Sequence, residues 1–352
     1  MSDTDAFVGP RLKRKRHASS APLTAHKRGK RVRTRNYSPT SKKLSHIIPS
    51  LKGVVGAPPL PVLTTKDQSV VQRWLEENVP AFCGNTYSVI GFDQESIAKP
   101  PWKPERAALS DGPATVQLST PTSCLIIQLS CCGDGSALHA PAALREVINN
   151  ERIIKCGVGI DDDALEFYRW SKGSSREPHQ QGEPETQLFE LKSRFDLGCL
   201  LPHKNPSTRA GIKELGETIL GVSLEKSKRI SMSNWGVRHL SDEQIAYAAR
   251  DAWVAAAIIE RLQNGNEAVF GADSLMEMDF MKDQTLMKDM DERVRKRKIL
   301  KDELKSLKDK QREGDNEKDR DRKRELYELM AELKADQPPT FPEDVFKLPF
   351  YR

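Results

Sequence analysis

Asp93 and Glu95 stand two residues apart in the run GFDQES, and a second acidic group, Asp161, Asp162 and Asp163, follows the apolar run GVGI. A third pairing, Tyr247 and Asp251, lies in LSDEQIAYAARDAW with three residues between them. The first pair falls in TYSVIGFDQES, whose β-branched and aromatic residues predict a strand. Residues two apart on a strand leave the same face. Beside Ile90 and Phe92, two carboxylates on a core strand are costly unless a cation neutralises them. Oxygen-only donors suit a hard ion, Mg²⁺ or Mn²⁺. The plainer reading ends the strand there and leaves both acids in solvent. In the triplet, Asp161 or Asp162 is expected to cap the following helix. A remaining acid at the C-terminal end of a strand can reach a site there. Tyr247 and Asp251, four apart, share one helix face. Asp251 can supply another metal carboxylate, and Tyr247 can hold or polarise a water. Taken alone, a Tyr and an Asp at helical spacing read first as packing and solvated surface.

The elements that must position these groups are legible on either side of them. SVVQRWLEENV has helical spacing, with Val71, Trp74, Leu75 and Val79 on one face. PATVQLST and SCLIIQLS, split by Pro-Thr, predict a hairpin, so the first three strands form a meander. APAALREVINN reads as a helix, IIKCGVGI as a buried strand and DDDALEFYRW as the start of another helix. RFDLGCLL reads as a strand, and GIKELGETILG and SDEQIAYAARDAWVAAAIIERL as helices. A meander followed by alternating strands and helices is an α/β fold, a mixed sheet with helices on its faces.

Acids on one strand, acids after a second strand and a Tyr-x-x-x-Asp helix, in that order, resemble the DEDD family of 3′-5′ exonucleases in its tyrosine-containing branch. KSKRISMSNWGVRHLSDEQIAYAARDA is similar to the Werner-syndrome-type exonuclease domain, and the resemblance covers about residues 70 to 263. It implies an RNase H-like fold and four metal-site acids: Asp93, Glu95, Asp163 and Asp251. Asp163 is taken from the triplet because the family's acid stands third after the GVGI run, with Asp162 as the fallback. Tyr247 becomes the water-orienting or general-base tyrosine. The implied chemistry is hydrolysis with two Mg²⁺ or Mn²⁺ ions, releasing nucleoside 5′-monophosphates. The family often carries Trp directly after the Glu of its first motif, where this chain has Ser96. The following segment, IAKPPWKPERAALSDG, is long and reads as a loop insertion, with a part in substrate entry as the alternative.

Charge divides the chain. Residues 6 to 66 hold 15 Lys or Arg and no acid, so a chain of net charge +6 has an acidic body. The clusters RLKRKR and HKRGKRVRTR predict nuclear localisation or a nucleic-acid patch. We expect a disordered basic arm over 1–65, an exonuclease domain over 66–265 and a charged helical tail over 266–352. That tail is too sparse in apolar residues for a heptad seam, and a break is expected near Gly314. Its aromatic end, 341–352, reads as packing on the domain or as a motif for a protein partner. Lys226, Lys228 and Arg229 are candidate backbone contacts. The expected partner is nucleic acid, DNA ahead of RNA. An RNase D-like exoribonuclease and a non-catalytic nucleic-acid-binding scaffold are the rival functions. Six cysteines without a CxxC pair read as reduced core thiols of an intracellular protein. No window is apolar enough for a membrane helix, so no membrane association is expected, and the N-terminal segment lacks the apolar core of a secretory signal.

Overall fold

The structure, a computed structural model, describes residues 46–48, 59–106, 111–174, 188–201, 209–224, 227–282, 284–311 and 317–333. The basic clusters, Lys226, the break at Gly314 and the aromatic segment 341–352 lie outside the described residues.

Strand β1 (His46–Ile48) pairs antiparallel with β2 (Leu60–Thr65). Helix α1 (Gln68–Asn78) follows, its first turn capped by the Asp67 side chain, and it buries Val71, Trp74 and Leu75 as their spacing predicts. One turn, α2 (Pro80–Cys83), leads to β3 (Ser88–Ser96), β4 (Pro113–Thr120) and β5 (Ser123–Ile127), the expected antiparallel meander. Then α3 (Ala142–Asn149), β6 (Ile153–Gly157), α4 (Ile160–Ser174) and β7 (Arg194–Asp196) alternate. Helix α5 (Ile212–Leu215) runs into a π-helical turn, α6 (Lys228–Ser231) is a single turn, and α7 (Asp242–Gly265) crosses the sheet. Short helices α8 (Glu267–Phe270), α9 (Ala272–Glu277) and α10 (Asp279–Lys282) precede α11 (Met287–Gln311) and α12 (Glu317–Glu332).

The sheet has the order β1-β2-β5-β4-β3-β6-β7, antiparallel across the meander and parallel at β2-β5, β3-β6 and β6-β7. It is the mixed, helix-flanked α/β sheet that the sequence predicts. One face packs Ile90, Phe92 and Leu118 against α1, α3 and α4. On the other face, Ile154 and Cys156 pack against the apolar residues of α7, and Ala114 and Ile126 join its first turns.

Two boundaries differ from the sequence reading. Leu60–Thr65, assigned to the disordered arm, is a strand parallel to β5 with Val62 fully buried. The basic, Ser-, Pro- and Thr-rich composition of the arm favoured disorder, but Pro61 falls near the start of the strand, where a missing N–H is tolerated. The tail assigned from residue 266 does not stand apart. Phe270, Leu275 and Met281 join the core beside α7, and Met287 joins the core beside α4. Asp291 of α11, 2 % exposed, lies between Arg169 (2.8 Å), Arg295 (2.9 Å) and Lys172 (3.8 Å). A buried carboxylate requires such partners. Among the described residues no helix is long and apolar enough to cross a membrane, and all six cysteines are free thiols.

Candidate active site

Strand β3 carries the first two acids. Gly91, Asp93 and Glu95 alternate with the buried Ile90, Phe92 and Gln94, so they share the face that meets α7. Gly91 is required there. A Cβ at this position would lie 2.0 Å from the Ala252 carbonyl oxygen and 2.9 Å from the Ala256 nitrogen. Ala248, Ala249, Ala252, Ala255 and Ala256 are buried along α7. This small-residue seam lets the helix backbone lie against the strand and sets Asp251 and Tyr247 over the acids. The start of α7 is fixed by a capping box between Ser241 and Gln244. Gln244 also donates to Ser233 Oγ (2.9 Å) and to the Asn234 carbonyl (3.2 Å), tying the preceding loop to the helix.

Asp93, Glu95, Asp163 and Asp251 lie within electrostatic reach of one another, each partly exposed yet crowded by protein. Burial and then the charge of Asp251 hold Asp93 well above the usual carboxylate range. The same two causes, in that order, push Glu95 up to about 8. Asp163 is pushed up to about 7 by burial and then by Glu166. Tyr247 is bonded to Asp251, and burial followed by the acids raises its phenol above the ordinary value. Trp235, fully buried, packs on the Tyr247 ring at 6.1 Å between centroids.

The triplet separates into three roles. Helix α4 begins at Ile160, so all three aspartates sit inside its first turn, where they favour the helix dipole, and none is the expected cap residue. Asp161 is taken by Arg194 (2.7 Å). Asp162 is exposed, and only Asp163 acts on Asp93 and Glu95. Sequence reasoning missed the residues that hold Asp163. The Gln94 amide bonds Asp163 and donates to Glu166 at 3.1 Å, and the Ser96 hydroxyl also bonds Glu166. Ser96 therefore occupies the position of the family's Trp with a hydrogen bond. The available signal was spacing, since Glu166 lies three residues from Asp163 on one helix face. Of the candidate backbone contacts, Lys228 is exposed, and Arg229 is paired with Glu243 at 2.6 Å.

The donor set fits hard divalent ions. All four side chains offer oxygen, and their mutual repulsion makes cations the species that would relieve them. Gln117, the cross-strand neighbour of Asp93 on the same face, buries an Oε1 with no hydrogen-bond partner, a further oxygen with unmet bonding capacity. Among the described residues, no three acidic, His or Cys side chains are drawn together tightly enough to enclose an ion.

The sequence model of the 3′-5′ exonuclease family matches residues 85–266, more than half of the chain. The chain belongs to the 3′-5′ exonuclease family. The matched exonuclease region contains all four acids and Tyr247. It is similar to exonuclease 3′-5′ domain-containing protein 2 of Drosophila melanogaster, 27 % identical over 55 % of this chain and 28 % of that protein. It is also similar to the mouse bifunctional 3′-5′ exonuclease/ATP-dependent helicase WRN, 27 % identical over 50 % of this chain and 11 % of that one. The chain thus spans less than a third of the length of these curated relatives. Among solved structures, the Aedes aegypti Nibbler EXO domain aligns with a TM-score of 0.41 and 22 % identity, over 58 % of this chain and 87 % of that one.

Proposed function

We propose that the protein removes nucleoside 5′-monophosphates one at a time from the 3′ ends of DNA, with Asp93, Glu95, Asp163 and Asp251 holding two Mg²⁺ or Mn²⁺ ions. The observation that carries this reading is the meeting of four acids and one tyrosine from β3, α4 and α7 at one place. Bound there, the ions would activate water and stabilise charge on the leaving 3′ oxygen. The chain's own part is to hold the acids in register and to orient the attacking water through the Tyr247 hydroxyl. Burial and the neighbouring acids keep the Tyr247 phenol protonated in the ion-free chain, and bound cations would have to offset those acids for it to take the water's proton. Water attacks phosphorus, the bond from phosphorus to O3′ breaks, and O3′ leaves as a hydroxyl.

Two features favour DNA over RNA. The words SNW and LSDEQIAYAARDA are similar to the Werner-type domain, and mouse WRN is among the relatives. In addition, α11 and α12 are charged helices joined by Leu304, Leu326 and ion pairs such as Arg322–Glu303, not a second apolar core of the RNase D type. The basic clusters of the first 35 residues would place the protein in the nucleus and tether it to DNA, a contribution that falls steeply with salt. The test is a matched pair of 5′-labelled substrates, 3′-recessed DNA and single-stranded RNA of one sequence, given to the full chain with Mg²⁺ or Mn²⁺. A ladder on DNA that vanishes in Asp93→Ala/Glu95→Ala supports the proposal. A ladder on RNA alone moves the substrate to RNA with the same site. Intact substrates with both ions would leave a binding scaffold.

A further inference from the structure

The excursion between β3 and β4 begins and ends at the site. At its base, the Ser96 hydroxyl donates to the Gly112 carbonyl at 3.3 Å and bonds Glu166. One step further out, Lys99 pairs with Asp111 at 2.7 Å. On the side toward α7, Ile97 approaches Gly236, the neighbour of the Trp235 that packs on Tyr247. Both feet of the excursion are thus fixed to residues that touch the acidic cluster.

Its described outer part is a turn, Pro100-Pro101-Trp102-Lys103, closed by the Lys103 N–H donating to the Pro100 carbonyl at 2.9 Å. Pro100 is buried, and Trp102 is 73 % exposed, the largest exposure among the large hydrophobic side chains of the described residues. Two prolines fix the backbone before the ring, so little freedom remains to be lost on binding. Trp102 lies six residues beyond Ser96, at most about 22 Å away along an extended chain.

We propose that Trp102 is a base-stacking subsite for the substrate strand, a few nucleotides from the 3′ end being removed, with Lys103 beside it for a backbone phosphate. The subsite rests on the exonuclease reading above, whether the strand is DNA or RNA. An indole face accepts any base, as an enzyme that must remove every base in turn requires. An ammonium next to an aromatic ring matches the alternation of phosphate and base along a single strand.

The test uses the full chain as wild type, Trp102→Ala and Trp102→Phe, with 5′-labelled single-stranded DNA and RNA. Trp102→Ala should raise KM about tenfold with little change in kcat, and Trp102→Phe should restore most of the loss. In an Asp93→Ala background, an oligonucleotide should quench tryptophan fluorescence, and Trp102→Ala should remove most of the quench. Trp74, Trp170 and Trp235 are buried and would not report it, and any signal from the half-buried Trp253, whose indole N–H donates to the Pro121 carbonyl at 2.9 Å, stays in place in Trp102→Ala. Unchanged KM and an unchanged quench in Trp102→Ala overturn the proposal and leave the ring for a protein partner. A raised KM without rescue by Phe, and with the quench intact, also overturns it, in favour of a merely structural turn. Failure of the exonuclease reading would show separately, as no cleavage by the wild type.

Discussion

On one side of β3, Ile90 and Phe92 meet large side chains. The Phe92 ring lies 6.0 Å from Phe167, which in turn contacts Phe189 (5.3 Å) and Trp170 (5.8 Å). On the other side, Gly91 meets helix backbone and Asp93 and Glu95 meet two more acids and a tyrosine. Along the strand, Ile90 and Phe92 thus serve packing and Asp93 and Glu95 chemistry, and only at its end does the packing parity turn to the site, where Gln94 and Ser96 bond Glu166. The apolar face supplies stability through buried area. The polar face costs stability, because its acids are crowded together, and it holds its geometry by close backbone approach instead of by side-chain bulk.

Substitutions on the two faces should separate these roles. The largest effect belongs to Asp93→Ala, which should cut exonuclease turnover by about a thousandfold or more while leaving the protein folded; product release from a labelled oligonucleotide and circular dichroism check the two halves. Phe167→Ala should do the reverse, costing about 3–5 kcal/mol of stability in denaturant melts, with turnover preserved in whatever remains folded. Tyr247→Phe keeps the ring packed on Trp235 and should lower kcat by about a hundredfold, with KM little changed in steady-state assays. Gly91→Ala is the smallest chemical change and falls on both roles. It should lower stability by about 1–3 kcal/mol and turnover by about tenfold, because α7 must move away from the acids. If Gly91→Ala melted and turned over as wild type, the close-approach account of the polar face would be lost.

What could be read from the sequence divides along similar lines. Local periodicity revealed β3, the meander and α7, since apolar alternation and helical spacing need no knowledge of distant chain. Asp93, Glu95 and Asp251 were legible as spacings of two on a strand and four on a helix, which place side chains on one face, whereas the choice of Asp163 from its triplet came from resemblance to the DEDD family. Contacts made across the chain were not legible. Asp161 is committed by Arg194, 33 residues away, and Leu60–Thr65 becomes a strand only because β5 offers it a parallel edge. Met287 and Asp291 anchor α11, with Met290 packed beside them, from within a run that otherwise reads as solvated.

The central claim is that Asp93, Glu95, Asp163 and Asp251 form one cation site. Glu95 and Asp163, pushed up to about 8 and about 7, hold protons in the folded chain that the unfolded chain has already released. The folded chain then binds more protons than the unfolded one, so without divalent ions the contribution of these two acids to stability is fully present below the ordinary carboxylate pKa and is lost as pH rises toward 8. The direct measurement is the thermal melting of full-length protein at about pH 5.5 and about pH 8, with and without Mn²⁺, for wild type and Asp93→Asn/Asp251→Asn. The account predicts that Mn²⁺ raises Tm more at the higher pH, and that the double variant melts higher than wild type without ions and gains little from Mn²⁺. An Mn²⁺ shift of equal size at both pH values, or one that survives the double substitution, would contradict it.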